Sequence, residues 1–240
     1  MRWPNAIMGE LIVARECLID GSVTGDVSQE GLHSFYQNRA NFISEYPQCS
    51  VDDYYLNSVP ELNKITKTPA NSKIYCWFEE DLFCQINFWF VIVILTPRFK
   101  DSKIYLVKPN KGNEYSFANM TNEELTQALK EAQILSFEQL STIAQLWALY
   151  QKEDYYALLN TAQSLKSDLA FIIDAIHAQI ARIPDNTGYG YPEQQLLAII
   201  KELNTTDFGP VFKVFSERMR IYSFGDLQVK RMFDKIIRSV

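Results

Sequence analysis

Apolar and polar positions follow two rhythms along this chain, and both meet in the stretch Lys73–Leu95 (KIYCWFEEDLFCQINFWFVIVIL). Its first six residues carry β-branched Ile74 and three aromatics, as in a buried strand. Three consecutive acids follow, and then an almost unbroken apolar run that reads as a core helix over Asp81–Leu95, ended before Pro97. Lys103–Val107 is a second strand, so strand, helix and strand occupy about 35 residues and form a parallel βαβ unit. Upstream, Glu10–Ala14 (ELIVA) is a short apolar strand, followed by Arg15, Glu16 and the patch Cys17–Ile19. Asp20–Asp26 carries turn chemistry through Gly21 and Gly25. Leu32, Phe35, Tyr36, Phe42 and Ile43 recur at helical spacing within Ser28–Tyr46, with Asp26 or Ser28 as N-cap and Pro47 as the stop. Ser50–Lys67 is helical but interrupted at Pro60, with Ser58 capping its second half.

After the turn-rich segment Lys108–Asn119 the period is helical throughout, with no further convincing strand. A capping-box spelling opens a helix at Thr121, and others run from Ser136, over Asp154–Gln163 and over Asp168–Arg182. Residues 185–191 are a glycine-bearing linker before Pro192–Leu203, Asp207–Met219 and Asp226–Ile237. The fold class read from this order is α/β. A small, mostly parallel three-layer domain over 1–117 precedes an all-α domain over 118–240, whose residues 185–240 form a helix-turn-helix or winged-helix-like three-helix unit.

Composition narrows the partners. The 240 residues carry a net charge of −6, which argues against wholesale polyanion binding. Residues 201–240 nevertheless hold eight Lys/Arg against five Asp/Glu, so DNA contact through Lys230 and Arg231 is a reading to test. The apolar run Leu82–Leu95 is interrupted by Gln85 and Asn87 and falls short of the roughly 20 residues a membrane-spanning helix needs. No secretory or transit pattern opens the chain, and its four cysteines fit no metal-ligand or redox spacing. A reducing cytoplasm is the expected home.

Candidate chemistry gathers at the ends of the expected strands, where ligands bind in parallel sheets. Glu79, Glu80 and Asp81 follow one strand directly, and Arg15 and Glu16 follow another. Gln85 shares a helical face with Asp81. If those strands are neighbours, Glu16, Glu79, Asp81 and Gln85 line one crevice and Arg39 joins it. The structural account is that the acids cap and complement a helix N-terminus, with Arg39 as a simple pair. The functional account is a ligand site for a small polar or anionic molecule. In an enzymatic variant, the carboxylates hold a divalent cation or act as acid and base on a phosphorylated or nucleotide-like ligand. His33 and His177 build no triad, and there is no nucleophile elbow, phosphate loop, dinucleotide fingerprint or zinc-protease motif, so no metal site, cofactor or reaction is assigned.

The segments RECLIDGSV (15–23), FYQNRANFI (35–43) and above all CWFEEDLFCQINFWF (76–90) resemble an uncharacterised bacterial family, the domain of unknown function 1835. The helix around Trp147, NTGYGYPEQQLLAII (186–200) and YSFGDLQVKRMF (222–233) resemble that family's usual C-terminal companion domain. The resemblance implies an α/β fold and points to Glu16, Gly21, Arg39, Trp77, Asp81, Gln85 and Asn87, without implying an activity. Family members usually begin with a further strand and a Gly-Asp turn before the position of Glu10, where this chain has nine residues, so part of that sheet is expected to be missing. The leading expectation is a cytoplasmic ligand-binding or regulatory protein. An enzyme or a DNA-binding regulator is the alternative.

Overall fold

The computed structural model describes residues 8–28, 30–96 and 103–239, so Pro97 and residues 1–7 lie outside the description. The chain begins irregularly and enters three helices, α1 (Leu32–Ile43), α2 (Val51–Asn57) and α3 (Val59–Lys67). Then come β1 (Lys73–Trp77), α4 (Leu82–Leu95) and β2 (Lys103–Val107). Beyond them lie α5 (Asn122–Lys130), the two-residue β3 (Gln133–Ile134), α6 (Phe137–Gln151), α7 (Tyr155–Ala162) and α8 (Phe171–Ala181). The last three helices are α9 (Tyr191–Leu203), α10 (Phe208–Arg218) and α11 (Asp226–Ser239). The protein is therefore mostly helical, with one small mixed sheet.

The βαβ reading holds. β1 and β2 pair in parallel from Lys73 opposite Lys103 to Trp77 opposite Val107, joined through α4. The third strand was not expected: β3 pairs antiparallel with β2, setting Tyr105 opposite Ile134, so the sheet is mixed and ordered β1-β2-β3. Strand alternation splits the sheet's two faces. Cys76, Ile104 and Leu106 enter the large core that α4 fills, with Ile74 packed at its margin. On the opposite face, Val107 and Trp77 meet a small second core of Phe117, Met120, Leu125 and Ala128, under α5. Tyr75 stacks on Tyr105 at 4.7 Å on that face and stays 40% exposed. The second face is thus covered only toward its carboxyl end.

Three local readings are corrected. Residues 10–14 are not a strand: burial alternates as in one, but their backbone joins no ladder. Val13 N–H donates instead to Glu61 Oε2 at 3.0 Å, and the Arg15 and Glu16 N–H groups close three-residue turns onto Val13 and Ala14 carbonyls. Among the described residues of the first 110, two paired strands are therefore present rather than the three expected. Ser58 has helical backbone angles and no capping hydrogen bond, so α2 runs almost directly into α3. The first α1 turn is entered at Gly31, while Asp26 and Ser28 bond to each other before it. One large core joins Leu18 to Ile236 and crosses the boundary expected at 117/118, as β3 does. The three-helix unit is present, and residues 191–239 contain no strand that would form a wing.

Candidate functional site

α4 carries the corner. Asp81 is its N-cap, extended in backbone, with Oδ1 accepting from Cys84 N–H at 2.9 Å. Glu79 and Glu80 fall between the end of β1 and that cap. Each Glu79 oxygen accepts one hydrogen bond: Oε1 from Phe117 N–H at 2.7 Å, and Oε2 from the Cys84 thiol at 3.2 Å, which leaves lone pairs on both. Glu80 N–H donates to the Glu114 carbonyl at 2.9 Å, and its carboxylate lies 3.9 Å from Lys108 Nζ. These bonds dock the segment after β2 onto the end of β1, as expected where strand ends converge.

Asp81 and Gln85 are both wholly buried. Gln85 Nε2 donates to the Glu79 main-chain carbonyl at 2.7 Å, which holds the amide over the corner. Asp81 Oδ2 and Gln85 Oε1 accept nothing. Buried acceptors are nearly always satisfied, and leaving one bare costs about 1–3 kcal/mol. Single unpartnered atoms also occur on Tyr36, Asn87, Trp89 and Trp147, but here two lie on side chains one helical turn apart beside further acids. Burial and then Glu79 raise the Asp81 carboxyl from 3.8 to about 7, against the lowering effect of the Cys84 N–H. Burial, then Asp81 and Glu79, push the Cys84 thiol far up. Ligand atoms of Glu79, Asp81 and Cys84 all lie within 4.8 Å of one another.

The single crevice expected from Glu16, Arg39, Asp81 and Gln85 is not there; the residues divide between two places. Arg39 is wholly buried and spends all five N–H groups. Nε and Nη2 grip both Glu16 oxygens, at 3.1 and 3.0 Å. The rest reach the carbonyls of Cys17, Asp20 and Ser22 at 2.8–3.0 Å. Glu16 is equally saturated, with Tyr54 Oη donating at 2.6 Å and Cys17 N–H at 2.7 Å. Neither has capacity for a ligand.

Their task is to fold an irregular buried segment. Every bonded carbonyl in it takes a side-chain donor from a distant element: Glu16 from Asn87, Leu18 from Tyr150, Ile19 from Arg182, and Val23 and Gly25 from Gln151. Such donors replace a ladder, as buried backbone requires. Position 21 requires glycine, since its φ is +72 and a Cβ there would lie 2.4 Å from the Phe42 ring. Asn87 touches this segment six positions beyond Asp81, about 9 Å along the α4 axis.

No family model, curated protein or solved structure matches the chain. The geometry must therefore carry the functional argument.

Lys230 and Arg231 are half exposed but used internally: Lys230 pairs with Asp234 and lies over Phe208, and Arg231 stacks on Tyr46 at 4.7 Å and approaches Glu45 at 3.7 Å. His33 and His177 are exposed on α1 and α8. Cys84 is the corner residue that sequence reasoning left out of its site. The signal was the Asp81-x-x-Cys84 spacing, one helical turn, which a search for cysteine and histidine pairs passes over. Among the described residues no helix is long and apolar enough to cross a membrane.

Proposed function

We propose that this chain is a ligand-binding protein of the reducing cytoplasm, that its site is the acidic corner at the carboxyl end of β1, and that the ligand is a small cation or cationic group. The carrying observation is the pair of buried, uncommitted acceptors, Asp81 Oδ2 and Gln85 Oε1, in a corner that already holds Glu79. Everything left free there accepts and nothing donates, so a donor or a positive charge is the complementary partner. Glu114 and Asp174 add to the field, since both raise Glu80 after burial does. An anionic ligand finds less support: Arg39 has no N–H left, and Lys108 faces Glu80. All four cysteines are free thiols, which agrees with a reducing compartment. The resemblance to the domain of unknown function 1835 belongs to the same reading, since segment 76–90 holds Glu79, Asp81, Cys84 and Gln85.

Regulation has a physical route. A ligand that draws on Glu79 competes with the Phe117 N–H, and so acts on the segment that carries Tyr115 against Arg220 at 5.8 Å. That segment and the turn after α10 line a cleft of about 540 Å³. A catalytic reading has one observation behind it: a carboxyl near 7 can exchange protons at neutral pH. A phosphorylated ligand would then need cations from outside the corner. The test of the binding reading is a thermal-shift series with divalent cations and with linear polyamines, on wild type and Asp81→Asn. Saturation at about 100 times Kd adds roughly 2.7 kcal/mol. A well-folded wild type that neither class stabilises sinks the reading.

A further inference from the structure

We infer that the corner binds a thiophilic divalent metal ion of the zinc class, with Glu79, Asp81 and Cys84 as ligands and Gln85 Oε1 as the fourth donor. The inference rests on the cation-binding reading above and narrows it to an ion.

Donor placement comes first. Zinc–ligand distances of about 2.0–2.3 Å set ligand atoms roughly 3.3–3.8 Å apart on a tetrahedron. Cys84 Sγ and Glu79 Oε2 are already 3.2 Å apart, and the three ligand atoms fall within 4.8 Å. Closure asks for side-chain movement of about an ångström, not a new backbone. Gln85 is the observation independent of the acids. Its amide is wholly buried and anchored by Nε2 on the Glu79 carbonyl at 2.7 Å, so Oε1, about 2.3 Å from Nε2 by covalent geometry, lies within a few ångströms of the Glu79 main chain and has no hydrogen-bond partner.

Donor chemistry selects the ion. A hard cation such as Mg²⁺ or Ca²⁺ wants six or more oxygens, whereas one sulfur with two carboxylates and a neutral oxygen suits a borderline ion with low coordination number. The N-terminus of α4 opposes a cation with about half a positive charge. Two carboxylates and a thiolate bring up to three negative charges within a few ångströms, which outweighs it. On binding, the thiol proton held against Glu79 leaves to solvent and the sulfur lone pair bonds the metal; no electron is transferred.

The experiment is a titration of the apo chain with Co²⁺ and Zn²⁺, with Mg²⁺, Ca²⁺ and spermidine alongside, read by absorbance and by thermal shift. Co²⁺ is expected to bind one to one with a thiolate-to-cobalt charge-transfer band, displaced by Zn²⁺. Cys84→Ser is expected to lose that band while keeping the wild-type circular dichroism. Asp81→Asn, which keeps its cap, is a second variant expected to fold and to lose binding. Gln85→Leu should weaken Co²⁺ by about 10–100-fold. A band unchanged in Cys84→Ser places the metal on another cysteine and overturns the inference. Stabilisation by spermidine or Ca²⁺ with no cobalt band overturns it while leaving the cation-binding reading intact. No response to any cation removes both.

Discussion

The sharpest consequence of the corner is that Asp81 should destabilise the apo protein at neutral and alkaline pH. Burial comes first and Glu79 second in raising its carboxyl from 3.8 to about 7, and the Cys84 thiol on the same turn adds no positive charge. The folded state therefore holds a proton that the unfolded chain has released. Stability from this group is intact below about pH 4 and falls as pH rises to about 7, where the loss is complete. At about 1.4 kcal/mol per pH unit across that window, the loss is on the order of 4 kcal/mol. Asparagine caps a helix as well as aspartate and carries no charge to bury. Asp81→Asn should then be more stable than wild type by about 1.5 kcal/mol at pH 5 and by about 4 kcal/mol at pH 8.5. For a chain of this size each kcal/mol moves Tm by about 2–4 °C. Urea denaturation at the two pH values measures it, with the difference between variants cancelling groups that titrate elsewhere. Added Zn²⁺ should restore wild type at pH 8.5 and leave Asp81→Asn unmoved. An equal loss of stability in Asp81→Asn at both pH values would show that the charged carboxylate is a favourable cap, and would refute the reasoning.

Other consequences concern the frame around the corner. Arg39→Lys replaces five directed donors with three and leaves Glu16 poorly matched in a dry site. It should cost about 3–5 kcal/mol in urea denaturation, and a loss below about 1 kcal/mol would mean that the 16–25 segment holds itself. Gly21→Ala forces a Cβ into the Phe42 ring at a left-handed φ and should cost about 3 kcal/mol, measured by the unfolding midpoint. Lys230→Glu with Arg231→Glu breaks exposed contacts worth under about 1 kcal/mol each, so Tm should move little. Wild type should also not be retained on duplex DNA at low salt. Retention that this double variant abolishes would establish the DNA-binding alternative instead.

How far the sequence reached depends on where each element finds its partners. β1, α4 and β2 are legible because their partners are local: a core helix announces itself as a continuous apolar run, and the two short strands flank it as apolar and aromatic runs bounded by turn residues, although only Cys76 of β1 is buried. β3 is two residues long, and two residues have no period to read. Residues 10–14 show the converse, since their burial alternates like a strand's while their hydrogen bonds go to the Glu61 carboxylate and to tight local turns. The donors that hold 16–25 come from Arg39, Asn87, Tyr150, Gln151 and Arg182, and no window of sequence contains both ends of those bonds.

The same distinction sorts the candidate residues. Glu16 and Arg39 were visible as residue types able to bind, but their saturation can be read only once all five guanidinium acceptors are placed. Glu79, Asp81 and Gln85 were legible from the strand end and the i,i+4 face, because those relations are local. Position alone could not say which of the two groups was finished. The decisive quantity is unused hydrogen-bonding capacity: none remains on Arg39, whereas Asp81 and Gln85 each keep a buried acceptor. A chain selected for stability alone would have no reason to leave both there, since asparagine caps as well and a neutral side chain costs less to bury. That cost is the argument for a ligand at the corner. It weighs against function at the Glu16–Arg39 pair, where the burial energy is already offset by the fold.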